Sequence, residues 1–305
     1  MNSLADKRFE LADQSKFNAD EVVRPNISYW QDAWRRLKKN KLAMISMAVL
    51  MILFIMSLIG PGLSGQNYTT LMPEIKNLPP SNTYWLGTDY LGRDLFSRLW
   101  KGLRFSIIVA VVAASLKVII GCIYGAVMAY LGGFVDDIMM RIVEVLNSIP
   151  HLIVTLIILV VLGNGYLPLL FALCITNWTS TARMVRGQIL KLRESEYIMA
   201  SAALGASSAR VIVRHLIPNT LSLLILDLAT SIPYIIFDET VLSFLGIGLQ
   251  PPAFSLGTLL SAGQEAMAFY PAHLLYPSLL LCLLVLSFNI LGDGLRDALD
   301  PQLRD

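Results

Sequence analysis

Long apolar blocks, separated by glycine, proline and charged residues, dominate the sequence. The first block, residues 42–59, contains no charged residue and would extend about 27 Å as a helix at 1.5 Å per residue, enough to cross the hydrocarbon core of a bilayer. Further blocks lie at residues 105–131, 142–162, 166–183, 219–237 and 273–291. The pattern predicts an all-α membrane protein with six transmembrane helices.

Basic residues suggest how these spans are oriented. Residues 29–41 carry Trp30, Trp34 and Leu37 at helical spacing beside five basic residues, which predicts an amphipathic helix on the membrane surface. Because basic segments beside a span tend to remain in the cytoplasm, both termini of a six-span chain are expected there. The short outer connections near residues 163–166 and 252–272 contain no Lys or Arg, in agreement with this topology. The long loop at residues 60–104 would lie outside yet contains five basic residues. Its conflict with the predicted topology is mild, because long loops translocate largely regardless of charge.

The predicted organisation follows from these blocks. Residues 1–27 are polar and are expected to form a soluble tail rather than a signal peptide. The segments are a cytoplasmic tail and amphipathic helix at 1–41, a first span at 42–59, an outer loop at 60–104, a five-helix core at 105–291 with a cytoplasmic loop at 187–217, and a cytoplasmic tail at 292–305.

Composition supports a membrane protein and argues against other classes. Hydrophobic residues make up 55% of the chain and charged residues 15%. The formal net charge of +2 is too small to indicate nucleic acid binding. The three cysteines lie in apolar blocks and the three histidines are isolated, so neither a disulfide nor a metal site is expected. Each histidine, including His151, is expected to have a structural role.

The predicted cytoplasmic loop has the composition of a docking segment. From Arg193 it reads Arg-Glu-Ser-Glu-Tyr-Ile-Met-Ala-Ser-Ala-Ala-Leu-Gly, a run of good helix formers that ends at Gly205, where the chain can turn. Ser207 or Ser208 can cap a second short helix. One face of the first helix would carry Tyr197, Ala200, Ser201 and Leu204. Small residues on this face would admit another protein, and the alternative is an amphipathic connector on the lipid surface.

Residues 196–218 resemble the signature cytoplasmic loop of ABC importer permeases, in which Glu-Ala-Ala is followed by a glycine and a terminal Ile-any-Leu-Pro. Gly205 and Pro218 match this pattern in spacing. Met199, Ala200 and Ser201 stand at the Glu-Ala-Ala positions, while His215 and Ile217 replace Ile and Leu. The resemblance implies that these residues couple the chain to an ATPase: Glu194, Glu196, Tyr197, Ala200, Ser201, Ala203, Leu204, Gly205, Ala206 and Pro218.

Three further stretches narrow this resemblance. Residues 86–98, Leu-Gly-Thr-Asp-Tyr-Leu-Gly-Arg-Asp-Leu-Phe-Ser-Arg, resemble the outer loop of the C-type permease subunits of dipeptide, oligopeptide and nickel importers. Residues 244–252 resemble the segment after the fifth span of those subunits, and residues 291–301 resemble their C-terminal tail. The motifs cover most of the chain from about Tyr29. They imply the fold of a type I importer permease, most similar to the C-type permease of oligopeptide importers.

The outer motif carries a second group of candidate residues. Asp89 and Asp94 can accept hydrogen bonds from backbone amides and from Arg93 or Arg98. This predicts a rigid outer platform, with a loop that only fixes itself as the alternative. The platform candidates are Gly87, Asp89, Gly92, Arg93 and Asp94.

Residues 244–252 are too rich in glycine and proline to continue a helix. Irregular backbone at membrane depth is tolerated only where protein or a water-filled cavity satisfies its polar groups. The segment therefore predicts a gate beside the translocation path, with an exposed outer loop as the alternative. The candidate gate and pathway residues are Asp238, Glu239, Gly246, Gly248 and Gln250.

Within the predicted spans, Lys117 and Asp227 are ionisable residues near the middle of the second and fifth spans. They could pair with each other, line the pathway or contact a partner permease, and an ion pair is the preferred interpretation. Gly121 and Gly125 have the four-residue spacing that permits close helix packing, expected within the chain rather than in a dimer.

The resemblance implies a non-catalytic permease subunit that forms half of a translocation pathway and works by alternating access in a bacterial cell membrane. The sequence has no Gly-x-x-x-x-Gly-Lys-Ser/Thr phosphate loop, so ATP and Mg²⁺ are expected on separate subunits and no cofactor in this chain. The implied partners are a B-type permease subunit, two ATPase subunits and an extracytoplasmic binding protein. Oligopeptides are the preferred substrate, followed by dipeptides and nickel complexes. An intramembrane enzyme or stand-alone channel is a weaker alternative, since the motifs of either are missing from the sequence.

Overall fold

The computed structural model describes residues 28–66, 68–250 and 253–300, and the regular structure in these ranges is almost entirely helical. The helices are α1 (Tyr29–Lys39), α2 (Lys41–Leu63), α3 (Leu95–Leu131), α4 (Gly133–Ser148), α5 (His151–Leu162), α6 (Tyr166–Arg193), α7 (Glu196–Ala203), α8 (Ser208–Phe244), α9 (Leu256–Ala266) and α10 (Ala272–Leu299), with a 3₁₀ turn at Pro73–Ile75. The predicted tail at residues 1–27, the prolines at 251–252 and residues 301–305 lie outside the described ranges.

Four helices of the described part are long and apolar enough to cross a membrane: α2, α3, α8 and α10. The pair α4 and α5 adds a fifth if it crosses as one broken span. Helix α6 has 28 residues, but its central part is rich in Thr, Ser and Asn, so it lacks the apolar character of the other four. The fold class is confirmed as an all-α membrane protein, whereas the expected number of six spans is not confirmed.

The third predicted span, residues 142–162, is not one continuous helix, so the prediction is wrong in this respect. Helix α4 ends at Ser148, α5 begins at His151, and the two axes are bent by 85°. Pro150 lacks a backbone N–H and disfavours a helical conformation at the preceding residue, and Ile149 has φ −98° and ψ 131°. The break places His151 at the start of α5.

The amphipathic helix predicted at residues 29–41 is confirmed as α1. Its Ser28 and Gln31 form a capping box at the N-terminus. Leu37 packs against Ala43 and Ala298, which fixes α1 to the start of α2 and to the end of α10. Trp30 and Trp34 remain about half exposed, as suits indole side chains at a membrane interface.

Helix α3 packs closely against α6, and glycine makes the contact possible. A Cβ added at Gly121 would lie 2.5 Å from the Thr181 Cβ, and one at Gly125 would lie 3.1 Å from the Ala182 Cα and closer still to its carbonyl oxygen. These distances confirm the predicted close packing within the chain.

Replacing Gly125 with valine is expected to force α3 away from α6 and to lower the free energy of unfolding by about 1–3 kcal/mol, the usual cost of overpacking. The measurement is the thermal stability of the purified chain in detergent. Gly187→Val is the matched control, because Gly187 lies in α6 with open space around the added Cβ. Equal losses in both variants would contradict the packing argument.

The outer connection expected near residues 252–272 is largely helix α9, a helix that the sequence pattern did not predict. Ser255 caps this helix, and Ser255 and Leu256 are fully buried. Glycines allow the close approach: a Cβ at Gly257 would lie 2.7 Å from the Thr240 carbonyl oxygen, and one at Gly263 would lie 2.6 Å from the His273 carbonyl oxygen. Helix α9 is therefore inserted between α8 and α10.

Candidate functional site

The predicted cytoplasmic loop is present as a helix, a turn and the start of a second helix. Helix α7 ends at Ala203, and Gly205 in the turn that follows has a φ of +84°, which suits glycine. The Ala206 N–H donates to the Ser201 carbonyl at 3.1 Å, and Ser207 caps the second helix by accepting from the Arg210 amide at 3.4 Å. The connection between α6 and α8 covers only residues 194–207, shorter than the predicted 187–217 loop. The second helix is the start of α8, so Pro218 lies within a helix instead of ending a loop.

Helix α7 is anchored to the bundle by one buried side chain and one hydrogen bond between side chains. Ile198 is 2% exposed and packs in a hydrophobic cluster with Val185 and Val211. On the neighbouring position, the Tyr197 hydroxyl accepts from the Asn219 side-chain amide at 3.2 Å. These contacts hold α7 against α6 and α8, so a force applied to α7 would reach both helices.

The opposite surface of α7 is open. Leu204 is 89% exposed, Met199 55% and Tyr197 46%. The remaining coupling candidates divide between exposed residues (Glu194, Glu196, Ala200, Ala203, Gly205 and Pro218) and partly buried ones (Ser201 and Ala206). Most of the predicted residues therefore share an accessible surface at one end of the bundle. We call residues 194–206 the docking segment.

The outer-loop candidates form one network around Asp89. Its side chain accepts from the Leu91 and Arg93 amides, both at 2.9 Å, and from the Arg93 guanidinium at 2.8 Å. Arg98 adds an ion pair at 3.4 Å. The hydrogen bonds predicted for Asp89 are confirmed, and they leave this carboxylate fully engaged within the loop.

Asp94 and two glycines fix the same loop to the bundle. Asp94 caps α3 by accepting from the Ser97 amide at 2.9 Å, and it accepts from the Ser64 hydroxyl at 2.9 Å. Gly87 and Gly92 both have positive φ, and a Cβ on either would overlap a backbone carbonyl of residues 72–78. The network accounts for a rigid loop by itself, which fits both the platform interpretation and its alternative.

The Gly-rich segment after α8 folds back on the helix end. Gly246 has φ +77°, and the Ile247 and Gly248 amides both donate to the Leu242 carbonyl at 3.0 Å. The Gln250 side-chain amide donates to the Gly246 carbonyl at 2.6 Å. Leu249 is only 2% exposed, and Phe254, beyond the undescribed prolines, only 5%. Gly248 is also buried, whereas Gly246 and Gln250 are exposed, so the gate and the exposed outer loop both stay predictions for this segment.

Glu239 connects this segment to the rest of the bundle. The carboxylate is fully buried and accepts from the Ser106 hydroxyl at 3.0 Å and the Ser243 hydroxyl at 2.8 Å. The same Ser106 oxygen accepts from the Leu256 amide at 3.2 Å. Glu239 thereby joins α3, α8 and the start of α9, which is a positioning role rather than contact with a passing molecule.

Asp238, the next residue, lies instead in a polar cleft of about 350 Å³. At one end of the cleft, Lys117 and Asp227 form an ion pair with Nζ and Oδ1 3.2 Å apart, which confirms the predicted pairing. At the other end, His151 Nε2 lies 3.4 Å from Asp238 Oδ1. The lining includes Lys117, His151, Asn177, Asp227, Tyr234 and Asp238. Such a concentration of polar groups between apolar helices is typical of a transport path.

Sequence reasoning missed His151, Asn177 and Tyr234 as cleft residues. The expected structural role of His151 gave no reason to place it in a cavity. The available signal was Pro150-His151 inside a supposed apolar span, because proline breaks a helix and a polar residue at membrane depth usually faces protein or water. The tertiary structure was needed to show which helix His151 meets.

Family models match most of the chain. Residues 117–305 match the model described as "Binding-protein-dependent transport system inner membrane component", and residues 28–80 match that described as "N-terminal TM domain of oligopeptide transport permease C".

Individual relatives match over nearly their full length. The dipeptide transport system permease protein DppC of Bacillus subtilis is 45% identical over 304 residues, which covers 99% of this chain and 95% of the relative. The oligopeptide transport system permease protein OppC of the same organism is 39% identical over 100% of both chains. The OppC protein of Haemophilus influenzae is 36% identical over 98% of this chain and 96% of the relative. The chain therefore belongs to the ABC importer permeases that form the inner membrane components of binding-protein-dependent transport systems, and among them to the C-type subunits.

Proposed function

We propose that this chain forms half of the membrane pathway of an ATP-driven peptide importer. The observation that carries the proposal is the polar cleft between α3, α5, α6 and α8, which has the Lys117–Asp227 ion pair at one end and the His151–Asp238 pair at the other and is partly open. A second permease subunit placed against the open part of the cleft would close it into a path. The proposed partner is a related B-type permease subunit.

The docking segment supplies the coupling in this proposal. The complex would contain two ATPase subunits, and a groove on one of them would receive the exposed Leu204 and Tyr197 of this chain. The buried Ile198 would transmit movement of the segment to α6 and α8. ATP and Mg²⁺ would be bound by those subunits. Closure of the ATPases would rock the bundle so that the cleft opens alternately to the two sides.

The remaining assignments follow from the direction of import. The docking segment would face the cytoplasm, together with both chain termini, in a bacterial cell membrane. The loop fixed by Asp89 and Asp94 would face outward, where an extracytoplasmic binding protein would deliver the substrate. The five basic residues of α1 and its flank are consistent with this orientation under the positive-inside tendency.

Peptides are the proposed substrates, and the relatives' names support dipeptides and oligopeptides equally. The sequence-based preference for oligopeptides stays a prediction, and the size of the cleft is its structural support. The polar lining suits peptide groups, which need hydrogen-bond partners at membrane depth.

The test is purification of the tagged chain from its own cells in mild detergent, followed by reconstitution into liposomes with its binding protein. We expect two ATPase polypeptides and a second permease subunit to co-purify, and the proteoliposomes to accumulate labelled tetrapeptide and dipeptide only when ATP is supplied. Equilibration of the peptide across the membrane without ATP would indicate a channel, and a chain that purifies without ATPases would contradict the proposal.

A further inference from the structure

The two acidic residues of the cleft differ in how well they are satisfied. Asp227 has the Lys117 ammonium at 3.2 Å and the Thr181 hydroxyl at 2.6 Å. For Asp238, the described residues provide one partner, His151, at 3.4 Å, beyond the usual 2.7–3.2 Å of an N–H···O hydrogen bond. Asp238 is therefore the carboxylate of the cleft with unused capacity to bind a cation.

The surroundings of Asp238 favour a ligand that brings its own positive charge. The side chain is 18% exposed and lines a cavity that is large enough for several ligand atoms. A carboxylate at membrane depth is costly unless a cation or several donors compensate it. Lys117 cannot do so, because Asp227 and Ser231 already engage its ammonium.

The length of the cleft indicates how long a bound peptide could be. Asp227, Ser231, Tyr234 and Asp238 follow one face of α8, and the eleven positions from Asp227 to Asp238 correspond to about 16 Å along a helix. An extended chain advances about 3.3–3.6 Å per residue. A peptide of about four or five residues would therefore extend along this face from the Lys117–Asp227 pair to the His151–Asp238 pair.

We propose that Asp238 binds the free ammonium terminus of the peptide in transit, and that His151 occupies this position when the cleft is empty. The inference rests on the proposed peptide import and adds a subsite to it. The displaced imidazole belongs to the first residue of α5. Arrival of the ammonium group would therefore also release the contact between His151 and Asp238 that links α5 to α8. The competing source of a cation is a Lys or Arg of the second permease subunit. The open cavity beside Asp238 favours the transported ligand over that alternative.

The test uses the complete complex in proteoliposomes with its binding protein and two probes, tetra-alanine and N-acetyl-tetra-alanine. For each probe, the uptake rate of a variant is divided by that of the unaltered complex, so selection by the binding protein cancels. Asp238→Asn should lower subsaturating uptake of tetra-alanine about tenfold or more, the loss expected for a charge-assisted hydrogen bond, and that of the acetylated probe less than about twofold. Asp297→Asn, an exposed position on α10, is the matched control and should change neither.

His151→Ala provides a second measurement in the opposite direction. Without the imidazole, tetra-alanine should reach half-maximal uptake at a concentration lower by about twofold or more, since the ammonium group no longer displaces a partner. If the unaltered complex does not import the acetylated probe, this variant decides the question, and an unchanged or higher concentration overturns the inference.

Other results contradict the subsite directly. Equal loss of both probes in Asp238→Asn would assign Asp238 a structural role, and failure of that variant to assemble would indicate a cation from the second permease subunit. An unaltered complex that imports neither peptide would overturn the proposed function itself. That result differs from an import-competent complex in which Asp238→Asn has no effect, which overturns the subsite alone.

Discussion

Replacing Leu204 with glutamate is expected to weaken ATPase binding by about 10- to 100-fold. Leu204 is 89% exposed at the tip of the docking segment, directly before the turn at Gly205. Burying a leucine side chain in a partner's groove contributes about 1.5–3 kcal/mol, which corresponds to that range of affinity. The measurement is the amount of ATPase retained by the tagged permease during size-exclusion chromatography, together with ATP-dependent peptide uptake.

Leu71→Glu is the control for this prediction. Leu71 is 58% exposed in the outer loop, so the chemical change is the same at a site distant from the docking segment in the fold. ATPase retention in that variant should equal that of the unaltered protein. If Leu204→Glu retains its ATPases and its uptake, the docking segment is not the coupling site.

Replacing Glu239 with leucine is expected to loosen the start of α9 and to abolish most peptide uptake. Leucine would leave the buried hydroxyls of Ser106 and Ser243 without their acceptor, at a cost of about 1–3 kcal/mol for each buried unsatisfied group. Glutamine retains an acceptor oxygen and adds a donor, so Glu239→Gln should keep most of the stability.

A cysteine at Leu249 can report this loosening, because Leu249 is 2% exposed. The background is Cys282→Ser, which removes the exposed cysteine and leaves the buried Cys122 and Cys174. Leu249→Cys should react slowly with a maleimide in that background and much faster after Glu239→Leu.

Glu144→Leu is the matched control for the carboxylate substitution, since Glu144 is exposed and forms a surface ion pair with Arg141. It should leave the Leu249→Cys labelling rate unchanged. Slow labelling in the Glu239→Leu variant would show that Glu239 does not hold the segment in place.

Much of the helical framework could be predicted from the sequence because apolar runs long enough to span a bilayer are a local property. The start of α1, with Ser28, the turn at Gly205 in the docking segment and the cap of α8 at Ser207 also follow from local chemistry. The break at Pro150 and the helix α9 were missed. An apolar run of that length hides a proline break, and a short apolar segment with glycines, such as α9, has the same pattern as a loop.

The candidate site divides in the same way. The bonds that Asp89 accepts from the Leu91 and Arg93 amides, and that Asp94 accepts from the Ser97 amide, lie within four positions along the chain, so the motif contained that information. The bond from the Ser64 hydroxyl to Asp94 spans thirty positions and came only from the structure. Asp238 and Glu239 were both predicted as gate or pathway residues, but these neighbours in sequence have different environments in the fold. On a helix, adjacent side chains point about 100° apart, so one faces the cleft and the other the core.

The membrane class, the approximate helices, the helix and turn of residues 194–206 and the family could all be predicted from the sequence, since they depend on local composition and on ordered motifs. The tertiary structure alone decided that His151 meets Asp238 across 87 positions, and that Ser106 joins Glu239 to Leu256. Contacts of this kind depend on how closely helices approach. That distance is set by glycines such as Gly121, Gly125 and Gly257 packing against backbone atoms far away in the chain, which a pattern along one helix does not specify.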